Sequence, residues 1–229
     1  NRTEAGEVIY ENGLPTFDDK VSVLGNGNYD FTLGFRNAFS YKNLSMSVLV
    51  DMKFGADVYS MSKMQSHVNG TSKETLEGRE GWYASEQARL SANVDAKDWT
   101  PTGGYVGKGV KAVTDADGNV SYVPNDVYVD PAKYWQALQN SSPEPFICDN
   151  SFVKLREVSL SYSCPKKWFV HTPIESVTLS AYGRNLQLIY SKVDNIDPES
   201  SYNNGNGQGF EYGSLPSRRT FGFGINVKF

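Results

Sequence analysis

The last thirteen residues, SRRTFGFGINVKF from Ser217 to Phe229, constrain the fold most. Phe221, Phe223, Ile225, Val227 and Phe229 share one parity; Thr220, Gly222, Gly224, Asn226 and Lys228 share the other. A strand sends successive side chains to opposite faces, so this segment is a ribbon with one wholly apolar face and one small or polar face. Two architectures accept such a ribbon. In a soluble sandwich the apolar face covers a core; in an outer-membrane barrel it meets lipid and the other face lines a wet lumen. Ending the segment on the aromatic Phe229 favours the barrel, because a soluble edge strand would leave that ring exposed.

The same alternation recurs upstream. From Tyr29 to Tyr41, Phe31, Leu33, Phe35, Phe39 and Tyr41 share a face, with Asn37 as the exception. Lys42-Asn43 forms a tight turn into a second ribbon, Leu44 to about Tyr59, whose Leu44, Met46, Val48, Val50, Met52 and Phe54 are apolar and whose Ser45, Ser47, Asp51 and Lys53 point the other way. Strands return in FVKLREVSLSYS, where Val158, Leu160 and Tyr162 oppose Ser159, Ser161 and Ser163. They return again from Ser176, where Val177, Leu179 and Ala181 oppose Thr178, Ser180, Tyr182 and Arg184. With the terminal ribbon this makes about five antiparallel strands.

Residues 60–150 lose the alternation. A helix is expected around Lys73 to Leu90, and another after Asp130-Pro131, with Asp as N-cap and Pro in the first turn. Between them lies a hairpin closed by Asp117-Gly118. Connections along the chain thus alternate between short (Lys42-Asn43, 165–175) and long (60–150, 191–216). Short turns at one end and long loops at the other are the pattern of an outer-membrane barrel, and a 90-residue insertion is unusual in a compact soluble domain.

Composition excludes several classes. A net charge of −4 leaves no basic footprint for nucleic acid. No apolar run approaches the roughly 18 residues of a helical membrane span. Cys148 and Cys164 flank an extended segment that separates them by tens of Å, too far for a disulfide. The sequence starts at Asn1 without a signal peptide, so the N-terminal part of a longer, exported protein is expected to be missing. No cofactor, metal or catalytic residue is expected. His67 and His171 have no nucleophile or metal-ligand partner at useful spacing. Glu144, Asp149, Asp197 and Glu199 sit in loops without the paired spacing a glycosidase needs. Asp115, Asp117 and Asn119 imitate a calcium loop, but its glycine is misplaced and no Glu closes it, so a turn is expected.

Taken together, NYDFTLGFRNAFSYKNLSMSVLVDMKFGADVYS, FVKLREVSLSY with Pro165-Lys166-Lys167, AYGRNLQLIYSKVDNIDPE, SLPSRRTFGFGINVKF and the GREGWY and GG elements of the long insertion resemble the C-terminal part of a SusC/RagA-type TonB-dependent outer-membrane transporter of Bacteroidota. The resemblance runs from about Gly6 to Phe229, with Cys164 as a departure where such proteins more often carry an apolar residue. It implies an all-β fold, the last five or so antiparallel strands of a transmembrane barrel of about 22 strands, with the plug and remaining strands outside this sequence. It implies that 60–150 and 191–216 are extracellular loops carrying short helices. It further implies import of glycan-derived oligosaccharides, or of peptides, under a SusD-type surface lipoprotein, with energy from TonB–ExbB–ExbD. The rival readings are a soluble β-sandwich carbohydrate-binding module and a glycoside hydrolase. Trp82, Tyr83, Trp99, Tyr105 and Trp135 are the candidate ligand or lid contacts, since aromatic rings stack on sugar faces; packing within the loop region is the other role open to each. The row Phe221, Phe223, Ile225, Val227 and Phe229 resembles the signal read during outer-membrane assembly.

Overall fold

The structure is a computed structural model and describes residues 1–18, 20–200, 205 and 207–229. Asp19 and part of the 191–216 loop therefore lie outside the described residues. The chain divides into two compact units, Asn1–Leu24 with Met61–Phe146, and Gly25–Ser60 with Ile147–Phe229. Along the chain the strands are β1 (Ile9–Glu11), β2 (Leu14–Pro15), β3 (Phe31–Tyr41), β4 (Leu44–Phe54) and β5 (Asp57–Ser60), then β6 (Val110–Thr114) and β7 (Val120–Pro124). They continue as β8 (Ile147–Asp149), β9 (Phe152–Ser163), β10 (Ser176–Ser191), β11 (Phe210–Glu211) and β12 (Thr220–Lys228). The α-helices are α1 (Met61–Val68), α2 (Arg79–Ser91) and α3 (Pro131–Ser141).

The second unit is built on a five-stranded sheet in the order β12-β10-β9-β4-β3, antiparallel throughout. Its register carries the sequence alternation straight into space. Phe35 pairs with Val50, Val48 with Val158, and Ala181 with both Leu160 and Phe223, so the apolar rows of all five strands form one face. That face is uncovered: Phe221, Phe223 and Ile225 are 67%, 87% and 72% exposed, where a sandwich would bury them. The opposite face carries Ser45, Ser47, Asp51 and Lys53 of β4 and Lys154, Ser159 and Ser161 of β9. The fold is therefore the barrel-wall alternative. Five strands leave β3 and β12 with one unpaired edge each, and unpaired backbone groups in lipid cost several kcal/mol apiece, so such a wall closes only with further strands.

Register also sorts the connections. The Lys42-Asn43 turn, the 164–175 link and Lys228 meet at one end of the sheet; Phe54, Phe152, Ser191 and Thr220 meet at the other. β4 stops at Phe54 because Gly55 adopts φ 88°, and the chain then enters a small three-stranded sheet, β11-β5-β8. The alternation read to Tyr59 thus belongs to two strands in different sheets. There Ser60 donates to Glu211 at 2.9 Å, with both residues buried. Gly222 has its place for a steric reason. A side chain there would collide with the Tyr182 ring, which spreads over it on the polar face.

The first unit holds α1, α2, α3 and a four-stranded sheet, β2-β1-β6-β7. Asn12-Gly13 makes the β1–β2 hairpin with both φ positive (52° and 78°), as a tight two-residue turn requires. Asp130 caps α3 by accepting from the Ala132 N–H at 2.9 Å, with Pro131 at the first position. The single helix expected over Lys73–Leu90 is instead a 3-10 turn, Lys73–Leu76, followed by α2. Gly78, at φ 80°, breaks the run.

Phe223 sits mid-strand in the exposed row, so Phe223→Arg places a charge near the bilayer midplane and should cost about 2–4 kcal/mol. Denaturant titration of the full-length protein folded in lipid vesicles should show that loss. An unchanged midpoint would mean that this face does not meet lipid.

Candidate functional site

Two arrangements carry the chemistry, one in each unit. In the first unit α2 begins where glycine allows close backbone approach. A Cβ on Gly78 would stand 2.5 Å from the backbone N of Tyr105, and one on Gly103 would stand 2.7 Å from the carbonyl oxygen of Gly81. The GREGWY and GG elements thus clamp together, and the clamp sets Arg79, Trp82 and Tyr83 on the first turn of α2. Facing them are Asp130, Trp135 and Gln136 at the start of α3, and the residues ending α1. Together they enclose a cleft of about 560 Å³.

The floor of the cleft is rigid. His67 is buried between Trp135 and Phe146, with ring centroids 4.5 and 5.8 Å away. Its Nδ1 faces the Lys63 carbonyl at 2.8 Å and its Nε2 the Glu74 carboxylate at 2.8 Å. The hydrogen bond to His67 holds the Glu74 carboxyl below the usual glutamate range. Arg79 is held by bonds from Nε to the Thr75 carbonyl (2.7 Å) and from Nη2 to the Gly70 carbonyl (2.6 Å) and Thr75 Oγ1 (2.5 Å).

Of the five aromatic residues singled out in the sequence, the cleft brings Trp82, Tyr83 and Trp135 together. Trp99 and Tyr105 are elsewhere. The Trp99 indole donates to Ser85 Oγ at 3.1 Å, and the Tyr105 ring packs at a tilt against that of Tyr134, centroids 4.4 Å apart. His67, Arg79, Asp130 and Gln136 went unnoticed as site residues; Asp130-Pro131 was legible only as a helix start. The row Phe221, Phe223, Ile225 and Val227 lies on the outer face of β12, and Phe229 follows it, 79% exposed.

In the second unit the polar face of the sheet carries an ion-pair network. A β-bulge leaves Arg156 as the extra residue between Leu155 and Glu157, which pair with Val50 and Leu49. The neighbouring register on β10 shifts between Arg184 and Gln187, where Asn185 has φ 52°. Bulges re-aim side chains. Here Arg156 bonds Asp51 (2.6 Å), Asn185 (2.7 Å) and both oxygens of Glu199 (2.5 and 2.8 Å). Lys154, almost fully buried, reaches Glu199 at 2.7 Å, Asp197 at 3.4 Å and Ser217 Oγ at 2.6 Å. Asp197 also accepts from the backbone N–H groups of Glu199 (3.0 Å) and Ser217 (2.8 Å). The two ends of the 191–217 loop are thereby fastened to the polar face of β9. Burial pushes the Glu199 carboxyl up, but its bonds to Arg156 and Lys154 outweigh this and hold it below the usual range.

An antiparallel sheet with one exposed apolar face and one charged face, its longer connections gathered at one end, defines a segment of a β-barrel. No protein-family model matches the chain. It is 27% identical over 222 residues to TonB-dependent receptor P3 of Formosa agariphila, covering 94% of this chain and 18% of that protein. It is 29% identical over 222 residues to TonB-dependent receptor P26 of the same organism, covering 95% of this chain and 18% of the relative. The chain therefore spans less than a fifth of the length of these relatives. Among solved structures it is similar to the RagAB peptide importer in its open-open state, with TM-score 0.54 and 16% identity over 97% of this chain and 20% of that one. It is similar also to the closed-closed state, with TM-score 0.55 and 14% identity over 100% of this chain and 20% of that one. The resemblance to TonB-dependent receptors read from the sequence recurs in these relatives, and the likeness to the RagAB importer is one of fold.

Removing one partner from a buried ion pair typically costs about 3–5 kcal/mol. Lys154→Met should destabilise the full-length protein by that order and free the 191–217 loop to protease. Because the folded-state pKa of Glu199 is depressed, its contribution is fully present above the usual glutamate value and is lost as pH falls. Acid should therefore expose the wild-type loop while leaving the already open Lys154→Met loop unchanged. Equal acid sensitivity in both proteins would contradict the network's role.

Proposed function

We propose that this chain forms part of the wall, and part of the extracellular loops, of an outer-membrane importer driven by TonB–ExbB–ExbD. Its cargo is glycan-derived oligosaccharide, handed over under a SusD-like surface lipoprotein. The observation that carries the transport reading is the sheet itself: an exposed apolar face suited to lipid, backed by a face of serines and ion pairs suited to a wet lumen. Residues 60–150 and 191–216 are the extracellular loops, and the Lys42-Asn43 and 165–175 connections are periplasmic. Asp197, Glu199 and Ser217 of the 191–217 loop are tied to the polar face by Lys154 and Arg156. The glycan reading draws support from Trp82, Tyr83 and Trp135, which converge with polar side chains in one cleft.

Peptide import is the second reading, favoured by the likeness in fold to the RagAB peptide importer. Uptake separates the two. Cells producing the full-length protein and its lipoprotein should accumulate fluorescent oligosaccharides, and deleting either the transporter or TonB should abolish accumulation. Labelled peptides taken up in place of saccharides would decide for the second reading. Uptake independent of TonB would contradict the mechanism.

A further inference from the structure

We propose that the cleft between α2 and α3 is a subsite for one uncharged sugar ring, seated against Trp82 and Tyr83 with Asp130 and Arg79 as its hydrogen-bonding poles. The proposal rests on the glycan reading and names the chemistry of recognition within it.

Charge comes first. Arg79 and Asp130 both line the cleft, and neither forms an ion pair among the described residues. His67, which also lines the cleft, has both ring nitrogens engaged, by the Lys63 carbonyl and the Glu74 carboxylate. One unpaired cation and one unpaired anion sum to zero, so a ligand carrying net charge would gain from one pole and lose at the other. A neutral ligand that both donates and accepts suits the pair. Among the described residues, Asp130 uses Oδ1 to cap α3 and leaves Oδ2 without a partner, while Arg79 commits Nε and Nη2 and leaves Nη1. An acceptor and a donor lining one cleft suit the hydroxyls of a sugar ring, which donate to a carboxylate and accept from a guanidinium.

The apolar wall points the same way. Tyr83 is 68% exposed at the rim, and Trp82 lies half-buried beside it. An aromatic face is negative at its centre and receives the C–H face of a sugar ring, which carries slight positive charge. Trp135 adds a buried indole N–H that has no hydrogen-bond partner among the described residues. The volume lies within the usual range for small-molecule sites. A peptide is the poorer occupant. Extended peptides are commonly held by the free backbone of a sheet edge, whereas the described residues lining this cleft lie on helices and their connections and include no strand.

The test uses the full-length transporter with its lipoprotein in detergent and isothermal titration with cello-, xylo-, galacto- and maltohexaose and hexa-alanine. Asp130→Asn keeps an oxygen to cap α3 but replaces the free acceptor with a donor, and Tyr83→Ala removes an exposed ring; both should fold. At least one hexasaccharide should bind the wild type, and each variant should weaken it about tenfold, as losing a hydrogen bond to a charged group or a stacked ring implies. If the wild type binds a hexasaccharide and both variants match it within about twofold, the subsite is refuted while glycan import stands. If hexa-alanine alone binds, or no probe binds, the glycan reading falls and the subsite with it.

Discussion

A strand that crosses a bilayer must satisfy every backbone N–H and C=O through its neighbours, because lipid offers no partner. The five-stranded sheet obeys this constraint, and its other properties depend on it. Pairing fixes register; register places Val48, Val158, Ala181 and Phe223 on one face and Ser47, Ser159 and Asp51 on the other. A slip of one residue between any two strands would turn an apolar row into the lumen and a charged row into lipid. The pattern therefore selects one register as well as one class of fold.

Against that regular wall, the two aligned irregularities on β9 and β10 stand out. Insertion of Arg156 lets Lys154, Arg156 and Glu157 all serve the polar face within four residues, which strict alternation forbids. The charges so gathered hold Asp197, Glu199 and Ser217. The wall and its loop are thus coupled through a few short contacts, several of them buried. In the other unit, glycines perform the equivalent task. Gly78, Gly81 and Gly103 let α2 approach a neighbouring backbone closely enough to bring Trp82 within one cleft with Trp135.

The sheet was legible because strand periodicity is a local signal: each of its ribbons states its own faces, and Lys42-Asn43 joins two of them in register. The α3 start was legible from Asp130-Pro131 for the same reason. The bulges were legible too, though unread. Val153 and Leu155 share a parity that Val158, Leu160 and Tyr162 reverse, and Val177 to Ala181 reverse against Leu186 and Leu188. A change of phase within an apolar row is what an inserted residue leaves behind. The network and the cleft depend instead on residues far apart in sequence, such as Lys154 bonded to Asp197, and Trp82 and Trp135 lining one cleft. Asp197 and Glu199 looked like isolated loop acids because nothing near them in sequence marks Lys154 as their partner. The three-stranded sheet stayed hidden similarly, since Phe210-Glu211 is too short to show a period.

The central claim is that one face of this sheet meets lipid while the other meets water. Spin labels placed singly from Thr220 to Lys228, in the full-length protein with Cys148 and Cys164 replaced and reconstituted in bilayers, test it most directly. Collision with oxygen, which concentrates in lipid, should peak at Phe221, Phe223, Ile225 and Val227. Collision with a water-soluble nickel chelate should peak at Thr220, Gly222, Gly224 and Asn226. Accessibilities that rise and fall together along the strand, without that two-residue alternation, would contradict the account.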